Sequence, residues 1–181
     1  MSEHEHGRWV KTPNDELLRA HPHLAEFLPF LDVLNAESPR GRVLVAASFL
    51  DSLLHETLRS FLIEGKSQDQ LLSGFNAPIG SFAAKIALAA ALGLINDRER
   101  DECDLIRRIR NKFAHAVHPS FDDEGIKSLC LLLTYRAKPY GDVEVSAEGS
   151  FTSAAVGLIS NLTNRAHYVA QARLKARDWT R

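Results

Sequence analysis

The sequence has few of the features that assign a chain to a common functional class. Its two cysteines, Cys103 and Cys130, lie in no metal-ligand spacing, which predicts reduced, buried thiols. The chain has 22 Lys and Arg against 23 Asp and Glu, and this balance excludes a protein that coats DNA without sequence preference. No apolar run is long enough to span a bilayer, and the polar, His-rich start lacks the core of a signal peptide. These absences predict a cytoplasmic protein that makes no use of a membrane.

Motifs for cofactors are missing as well. The glycines of residues 74–80 shape a turn and form no phosphate loop, because no strand precedes them and no GKS or GKT follows. His115 and His118 are close in sequence, but they straddle a predicted helix end and have no clear third metal ligand. Asp51 and His55, four residues apart on a predicted helix, are expected to share a structural hydrogen bond. The sequence therefore predicts neither a metal ion nor a cofactor.

What the sequence does have is helical periodicity. Apolar residues make up 45% of the 181 residues, which suits one folded domain. Ser38 followed by Pro39 is a strong helix start, and Gly93 with Asn96 marks a tight connection between two antiparallel helices. The predicted helices cover residues 23–35, 38 to about 64, 81–92, 97 to about 117, 122 or 123 to 133, and 152–177.

These elements predict an all-α, single-domain helical bundle of about five to seven helices. The bundle is expected over residues 23–181, after a flexible N-terminal segment over residues 1–22. Alternating polar and apolar residues at 142–146 are compatible with one arm of a small hairpin near residues 138–150.

The most informative stretch is the hexapeptide Arg110-Asn111-Lys112-Phe113-Ala114-His115. It joins a permanent cation, a side-chain amide and an imidazole within two turns of a predicted helix. A guanidinium binds phosphate, and an imidazole that titrates near neutral pH serves as a general acid or base. These three groups are sufficient, in principle, to hold a phosphodiester and move protons across it without a metal.

Helical geometry arranges these residues around the helix axis. Arg107, Asn111 and His115 are spaced four residues apart, so the spacing predicts that they share one row. Arg110 lies about 100° from Asn111 and flanks that row. Phe113 points the other way and is predicted to anchor the helix in the core.

Chance and ordinary surface chemistry offer a simpler interpretation. An Arg five residues before a His is expected about 0.7 times in a chain of this composition, and a following Asn lowers the expectation to about 0.03. Arg107 and Arg108 could simply pair with acidic neighbours on a solvated helix face. The nearest such neighbours are Asp104 and Glu102.

A wider pattern resembles a known family. The hexapeptide resembles the RNxxxH form of the Rx4–6H motif of HEPN domains. Over roughly residues 25–135 the chain resembles one branch of these domains, the mannitol operon repressor (MltR) family. The resemblance is carried by residues 40–51 (RGRVLVAASFLD), 74–82 (GFNAPIGSF), 104–115 (DLIRRIRNKFAH) and 121–123 (FDD).

The resemblance implies an all-α HEPN-like bundle that is often dimeric. In active HEPN ribonucleases, two such motifs meet at the dimer interface and cleave RNA without a metal. By this resemblance Arg110 would hold the phosphate, Asn111 would orient the site and His115 would move protons. The RNA 2′-hydroxyl would attack and leave a cyclic phosphate. The residues expected to bind RNA or a partner are Arg107, Arg108, Lys112 and His118.

Two functions follow from the resemblance. The first is an MltR-like negative regulator of gene expression that acts as a metal-independent endoribonuclease in a homodimer. The alternative is a non-catalytic transcriptional co-regulator that binds protein or RNA. Direct DNA binding is not expected, because no helix-turn-helix with a basic recognition helix is present. The near-neutral charge favours a protein partner, whereas the basic cluster of residues 98–112 favours RNA.

Overall fold

Helices account for most of the chain that the structure describes. The structure is a computed structural model that describes residues 19, 27–140 and 144–179. Within these residues the α-helices are α1 (Phe27–Ala36), α2 (Pro39–Phe61), α3 (Lys66–Leu72), α4 (Phe82–Ala91), α5 (Asp97–His115), α6 (Glu124–Leu132), α7 (Ala147–Leu162) and α8 (Arg165–Ala170). The predicted all-α bundle is confirmed. None of the described helices is both long and apolar enough to cross a membrane.

The second helix is the spine of the bundle. Ser38 accepts a hydrogen bond from the Gly41 N–H at 3.1 Å, and Pro39 occupies the first helical position, as predicted. The 23 residues of α2 give it a length of roughly 35 Å. Its buried stripe runs from Val43 to Leu58, and the helix contacts α1, α3, α4, α5, α7 and α8. Because it has neighbours on so many sides, α2 fixes where the other helices lie.

The tight connection between α4 and α5 forms as predicted. Ser81 caps α4 by accepting a hydrogen bond from the Ala84 N–H at 3.2 Å. Gly93 follows the helix with a positive φ of 69°, a conformation that a side chain would strain. Asn96 and Glu99 form a capping box, in which each side chain accepts from the other residue's backbone N–H at 2.9 Å. The two helices therefore pack as antiparallel neighbours.

Aromatic packing fixes the C-terminal end of α5. Phe113 is fully buried, and its ring centroid lies 4.8 Å from that of Phe121 in the following loop. Phe121 in turn lies 5.6 Å from Phe151 of α7. Ile106 and Ile109 are also fully buried. The predicted role of Phe113 as an anchor is confirmed, and the predicted site residues of α5 lie outside the core.

The C-terminal region differs from its prediction. Ser146 accepts a hydrogen bond from the Gly149 N–H at 3.0 Å, so α7 begins at Ala147 rather than near residue 152. Asn164 leaves helical geometry, with φ −101° and ψ 2°, and separates α7 from α8. Residues 173–179 are not helical. The predicted continuous helix over residues 152–177 is therefore wrong.

The expected hairpin near residues 138–150 falls partly on residues 141–143, which lie outside the described residues. Residues 144–146 are neither helix nor strand, and α7 follows directly, so the hairpin does not extend to residue 150. Apart from Arg19, the expected flexible segment of residues 1–22 also lies outside the described residues.

Candidate functional site

Helix α5 presents the predicted site residues on two flanks, one with Arg110 and one with His115. At 100° per residue, Arg110 and His115 lie about 140° apart around the helix axis. Arg107 and Asn111 are only about 40° apart, on the side that faces α2 and the start of α4. We call Arg107, Arg110 and Asn111 the Arg110 flank, and we call Lys112 and His115 the His115 flank. The helix runs unbroken from Asp97 to His115, so the predicted row of Arg107, Asn111 and His115 forms. His115 opens onto a different cavity from the other two.

The Arg110 flank lines an open cavity of about 300 Å³. Three separate parts of the chain form its walls: Asp51 of α2, residues 80–83 at the start of α4, and the flank itself on α5. Each part falls within, or directly beside, one of the three long stretches that carry the family resemblance. The structure therefore brings those stretches together around one cavity.

Hydrogen bonds leave this cavity with more donors than acceptors. Arg107 donates from Nε to Asp104 Oδ1 at 3.0 Å, which confirms one predicted surface pair. Arg110 donates from Nη1 to the Asn111 carboxamide oxygen at 3.0 Å, so the Asn111 NH₂ group is left as a donor. Both arginines are half-buried. Because a guanidinium has five N–H donors, each arginine keeps donors for another group.

A partly buried ion pair forms one wall of the cavity. Lys85 of α4 is only 6% exposed, and its ammonium donates to both carboxylate oxygens of Asp51 at 2.9 Å. The Asp51 side chain is 32% exposed and lines the cavity. The predicted bond between Asp51 and His55 is wrong, because a lysine 34 residues away occupies the carboxylate. Since the pair is neutral as a unit, Asp51 does not cancel the charge of the arginines.

The His115 flank opens onto a different cavity, of about 420 Å³, between α5 and the start of α6. It is lined by Lys112, His115, Ala116, Asp123, Gly125 and Ile126. Lys112 and His115 are exposed, and the lysine ammonium lies 3.2 Å from the point where a Cβ on Gly125 would stand. Within the described residues of one chain, the guanidinium of Arg110 and the imidazole of His115 do not converge on a shared cavity.

The end of α5 that carries His115 is held by a residue that the motif does not contain. Arg40, in the first turn of α2, donates from Nη2 to the Ala114 carbonyl at 3.2 Å. This bond satisfies one of the carbonyls that a helix end leaves without an intrahelical partner. Arg40 begins the stretch of residues 40–51, so the resemblance marks its position but gives no indication of its partner.

The remaining predicted binding residues are exposed. Arg108 points to solvent on α5, and His118 is exposed in the loop that follows the helix. The expectation that Glu102 pairs with a surface arginine is wrong. Glu102 is fully buried and accepts hydrogen bonds from the Thr134 N–H at 2.8 Å and the Tyr135 N–H at 3.0 Å. This carboxylate ties α5 to the chain that follows α6.

The basic cluster of residues 98–112 is partly neutralised within the chain. The Arg98 guanidinium lies 4.1 Å from the Tyr135 ring centroid and donates to the Thr134 carbonyl at 2.8 Å. Arg100 pairs with Asp97 at 2.7 Å and with Asp101 at 2.9 Å, and the hydrogen bond to Asp101 raises its pKa. The cluster therefore offers a phosphate backbone fewer cations than the composition suggests.

Other candidate chemistries lack a matching arrangement in the described part of the chain. There, no group of three or more His, Cys, Asp or Glu side chains is placed to hold a metal ion. Cys103 and Cys130 are free and buried, as predicted. Burial raises the pKa of Cys130 to about 12, so its thiol is not a ready nucleophile.

Comparisons with known proteins identify the fold. No protein-family model matches the sequence, and no curated protein matches it. A match is found to a chain in the X-ray structure of the MtlR–HPr complex from Escherichia coli, with a TM-score of 0.61 and 21% identity. It covers 75% of this chain and 96% of that chain. The predicted resemblance to the mannitol operon repressor, written MltR or MtlR, is therefore confirmed at the level of the fold.

Proposed function

We propose that this chain is an MltR-like negative regulator of gene expression that acts by binding a protein partner. The carrying observation is an exposed face on α5 and α6, on a fold shared with a chain of the MtlR–HPr complex. The proposed partner is HPr or a protein similar to it. The alternative of direct operator binding has no support in the arrangement of α5, whose apolar side is fixed in the core.

The proposed docking face combines apolar and basic side chains. On α6, Leu131 and Leu132 are 52% and 60% exposed. On α5, Arg108, Lys112 and His115 are exposed and fall within about 60° of one another around the helix. The two helices pack side by side. Exposed apolar side chains rimmed by polar groups are typical of protein interaction surfaces.

The charge on this face favours a partner with acidic groups. Arg100 and Arg107 are paired within the chain, whereas no described carboxylate lies within 4 Å of Arg108 or Lys112 as an ion-pair partner. Two such cations on α5, with two exposed leucines on the neighbouring helix α6, suit a small protein surface. They are too few for tight binding to a nucleic-acid backbone, which depends on many simultaneous phosphate contacts.

Calorimetric titration of this chain with purified HPr is the direct test. We expect saturable binding with a Kd of about 1–100 μM, in the range of transient regulatory complexes. The double variant Arg108→Glu, Lys112→Glu is expected to weaken binding about tenfold or more, because like charges would then face each other. Rising salt should weaken the wild-type complex and leave the variant nearly unchanged.

A control substitution distinguishes an effect of the docking face from an effect of the chain's net charge. Lys66 is exposed at the start of α3, so Lys66→Glu changes charge in the same direction away from the proposed face. It should leave HPr affinity within about twofold. If folded wild-type protein does not bind HPr at 100-micromolar concentrations, on the order of the weakest expected Kd, the proposed partner is wrong.

A second candidate function is a metal-independent endoribonuclease, and the local chemistry of α5 favours it. Arg110 is half-buried against Asn111, while His115 is exposed and accessible to a substrate. Because the two groups face different flanks, this candidate needs a homodimer in which Arg110 of one copy meets His115 of another. The RNA 2′-oxygen would bond to phosphorus as the bond to the 5′-oxygen breaks, with imidazole groups moving the protons.

Cleavage of labelled RNA in the presence of EDTA tests this candidate. Activity should persist with the chelator and fall at least about a hundredfold in His115→Ala, the usual loss for a general acid or base. His167→Ala is the matched control, because His167 is exposed on α8 and belongs to no predicted site. Failure of the folded, dimeric protein to cleave any RNA, or equal activity in His115→Ala, would rule the candidate out.

A further inference from the structure

We propose that the cavity on the Arg110 flank is a binding site for a small phosphate-bearing anion, such as a phosphate monoester. It is distinct from the docking face, because Arg108, Lys112 and His115 do not line it. The site therefore does not depend on whether HPr binds, and it gives the regulator a place to receive a small-molecule signal.

The charges on the cavity walls favour an anion. Two of the three charged groups that line the cavity are compensated: Asp51 by Lys85, and Arg107 by Asp104. Arg110 donates to the neutral amide of Asn111 and has no described carboxylate within 4 Å as a partner. The cavity thus keeps about one uncompensated positive charge beside two neutral ion pairs. An anion is the ligand that restores neutrality.

The hydrogen-bond donors on the cavity walls favour phosphate. Arg107 and Arg110 present spare guanidinium N–H groups, and the Asn111 amide presents its NH₂. Ser81 uses its hydroxyl to cap the Ala84 N–H, which leaves the earlier N–H groups of α4 without an intrahelical partner at the same wall. Phosphate offers only acceptors, and planar guanidinium groups match its oxygens in pairs.

The volume of the cavity and its surroundings favour a small ligand. A volume of about 300 Å³ lies at the lower end of ligand cavities, which suits a phosphate group with a few further atoms. A polynucleotide would need a basic groove that continues along the surface. The nearest further cation of the hexapeptide is Lys112, and it lies on the other flank. A free phosphate monoester is therefore favoured over a nucleic-acid backbone.

Phosphate titration of the whole chain tests the proposal. Inorganic phosphate and glycerol phosphate are added at constant ionic strength, with chloride as reference, and binding is followed by the rise in Tm and by calorimetry. We expect both phosphates to raise Tm above the chloride reference. Arg110→Gln should weaken phosphate affinity about tenfold or more, because a charge-assisted hydrogen bond is lost. Arg107→Gln should weaken it as well, which keeps the test decisive if one variant folds poorly.

Two matched variants distinguish the cavity from general surface charge. Lys127 is exposed on α6, so Lys127→Gln removes one positive charge elsewhere and should leave phosphate affinity within about twofold. Equal phosphate affinity in Arg110→Gln and wild type would overturn the proposal. So would a loss confined to Lys112→Gln, which would move the site to the other flank. Tighter binding of a short RNA than of glycerol phosphate, lost in both Arg110→Gln and Lys112→Gln, would assign the cavity to a nucleic-acid track instead.

Failure of this proposal and failure of the protein-partner proposal give different results. If the chain binds HPr but phosphate does not raise its Tm, the docking-face proposal stands and the small-anion site is wrong. If the chain binds phosphate through Arg110 but does not bind HPr, the small-anion site stands and the proposed partner is wrong.

Discussion

The two flanks of α5 share one six-residue motif between them and yet have different surroundings. The Arg110 flank faces α2, the start of α4 and the partly buried pair of Asp51 and Lys85. The His115 flank faces the first turn of α6 and solvent. A half-buried guanidinium with fixed neighbours is suited to holding a ligand. An exposed imidazole beside a flexible lysine is suited to meeting another molecule.

This difference shows that spacing alone does not define a site. Five residues on a helix separate Arg110 from His115 by about 140°, so in a single chain the two side chains line different cavities. We propose that the two flanks bind separate ligands, unless a second copy brings its His115 to the first copy's Arg110. Variants that act on one flank, on both or on neither can separate these cases.

The largest effect is expected from Phe113, because it supports both flanks. Phe113→Ala removes a fully buried ring that packs on Phe121, and it should lower the free energy of unfolding by about 3–5 kcal/mol. Urea denaturation measures the loss, and HPr binding and the phosphate effect should decline together. Val117→Ala is the control, because Val117 is 80% exposed and should change stability by less than about 0.5 kcal/mol. A small loss in Phe113→Ala would mean that the flanks are supported independently.

The next effect should be confined to the α6 side. Glu102→Ala leaves the N–H groups of Thr134 and Tyr135 without their acceptor, which should cost about 3 kcal/mol. We expect weaker HPr binding, since α6 and its exposed leucines lose their attachment, while phosphate affinity stays within about twofold. Glu102→Gln keeps one carbonyl acceptor and should show about half the loss of stability. Equal damage to phosphate binding would contradict the separation of the flanks.

A smaller effect should be confined to the Arg110 flank. Lys85→Met removes the partner of Asp51, and because Asp51 is one-third exposed we expect about 2 kcal/mol, less than for a fully buried pair. The freed carboxylate adds a negative charge to the cavity wall. Phosphate affinity should therefore fall about tenfold, with HPr affinity unchanged. If phosphate affinity is retained, the charge balance of the cavity does not control binding.

Local signals made much of this fold predictable. Ser38 with Pro39, Ser81, Gly93 and the Asn96 capping box each act within one turn of the chain, so the starts of α2, α4 and α5 follow from the sequence. Helix α3 lacks such signals. Gly65 precedes it without a side-chain cap, and Gln68 holds it through a hydrogen bond to the Arg59 carbonyl at 2.6 Å. That contact depends on the tertiary fold.

The candidate site was predictable only in part, for a related reason. The sequence gives the chemistry of Arg110, Asn111 and His115 because it lies within one helix. The sequence does not show that Asp51 pairs with Lys85, 34 residues away. His55 lies four residues from Asp51 on the same helix and is the partner expected from helical spacing. The cavity walls come from α2, the start of α4 and the start of α6, so the surroundings of each flank emerge only from packing.

The smallest effect concerns the two thiols and the pH dependence of stability. Burial raises the pKa of Cys130 to about 12, from the usual 9.0, and burial together with Glu99 raises the pKa of Cys103 further. The folded state therefore keeps its thiols protonated where the unfolded state ionises. This contribution to stability is fully present below about pH 8.5 and is lost as pH rises from there towards 12. Urea midpoints measured between pH 7.5 and 10 should fall less in Cys130→Ala than in wild type.

The labelling rates of the two thiols at pH 8 provide a direct comparison of how readily the two sides of α5 open. Both cysteines should react roughly a hundredfold more slowly in the folded protein than in urea, because only opened molecules expose a thiolate. Cys130 lies on α6, which contacts α5 and α7, whereas Cys103 lies on α5 between α4 and α6. If the α6 side opens first, alkylation followed by peptide mass spectrometry will find Cys130 labelled before Cys103. Equal labelling rates would mean that the two flanks open together, as one cooperative unit.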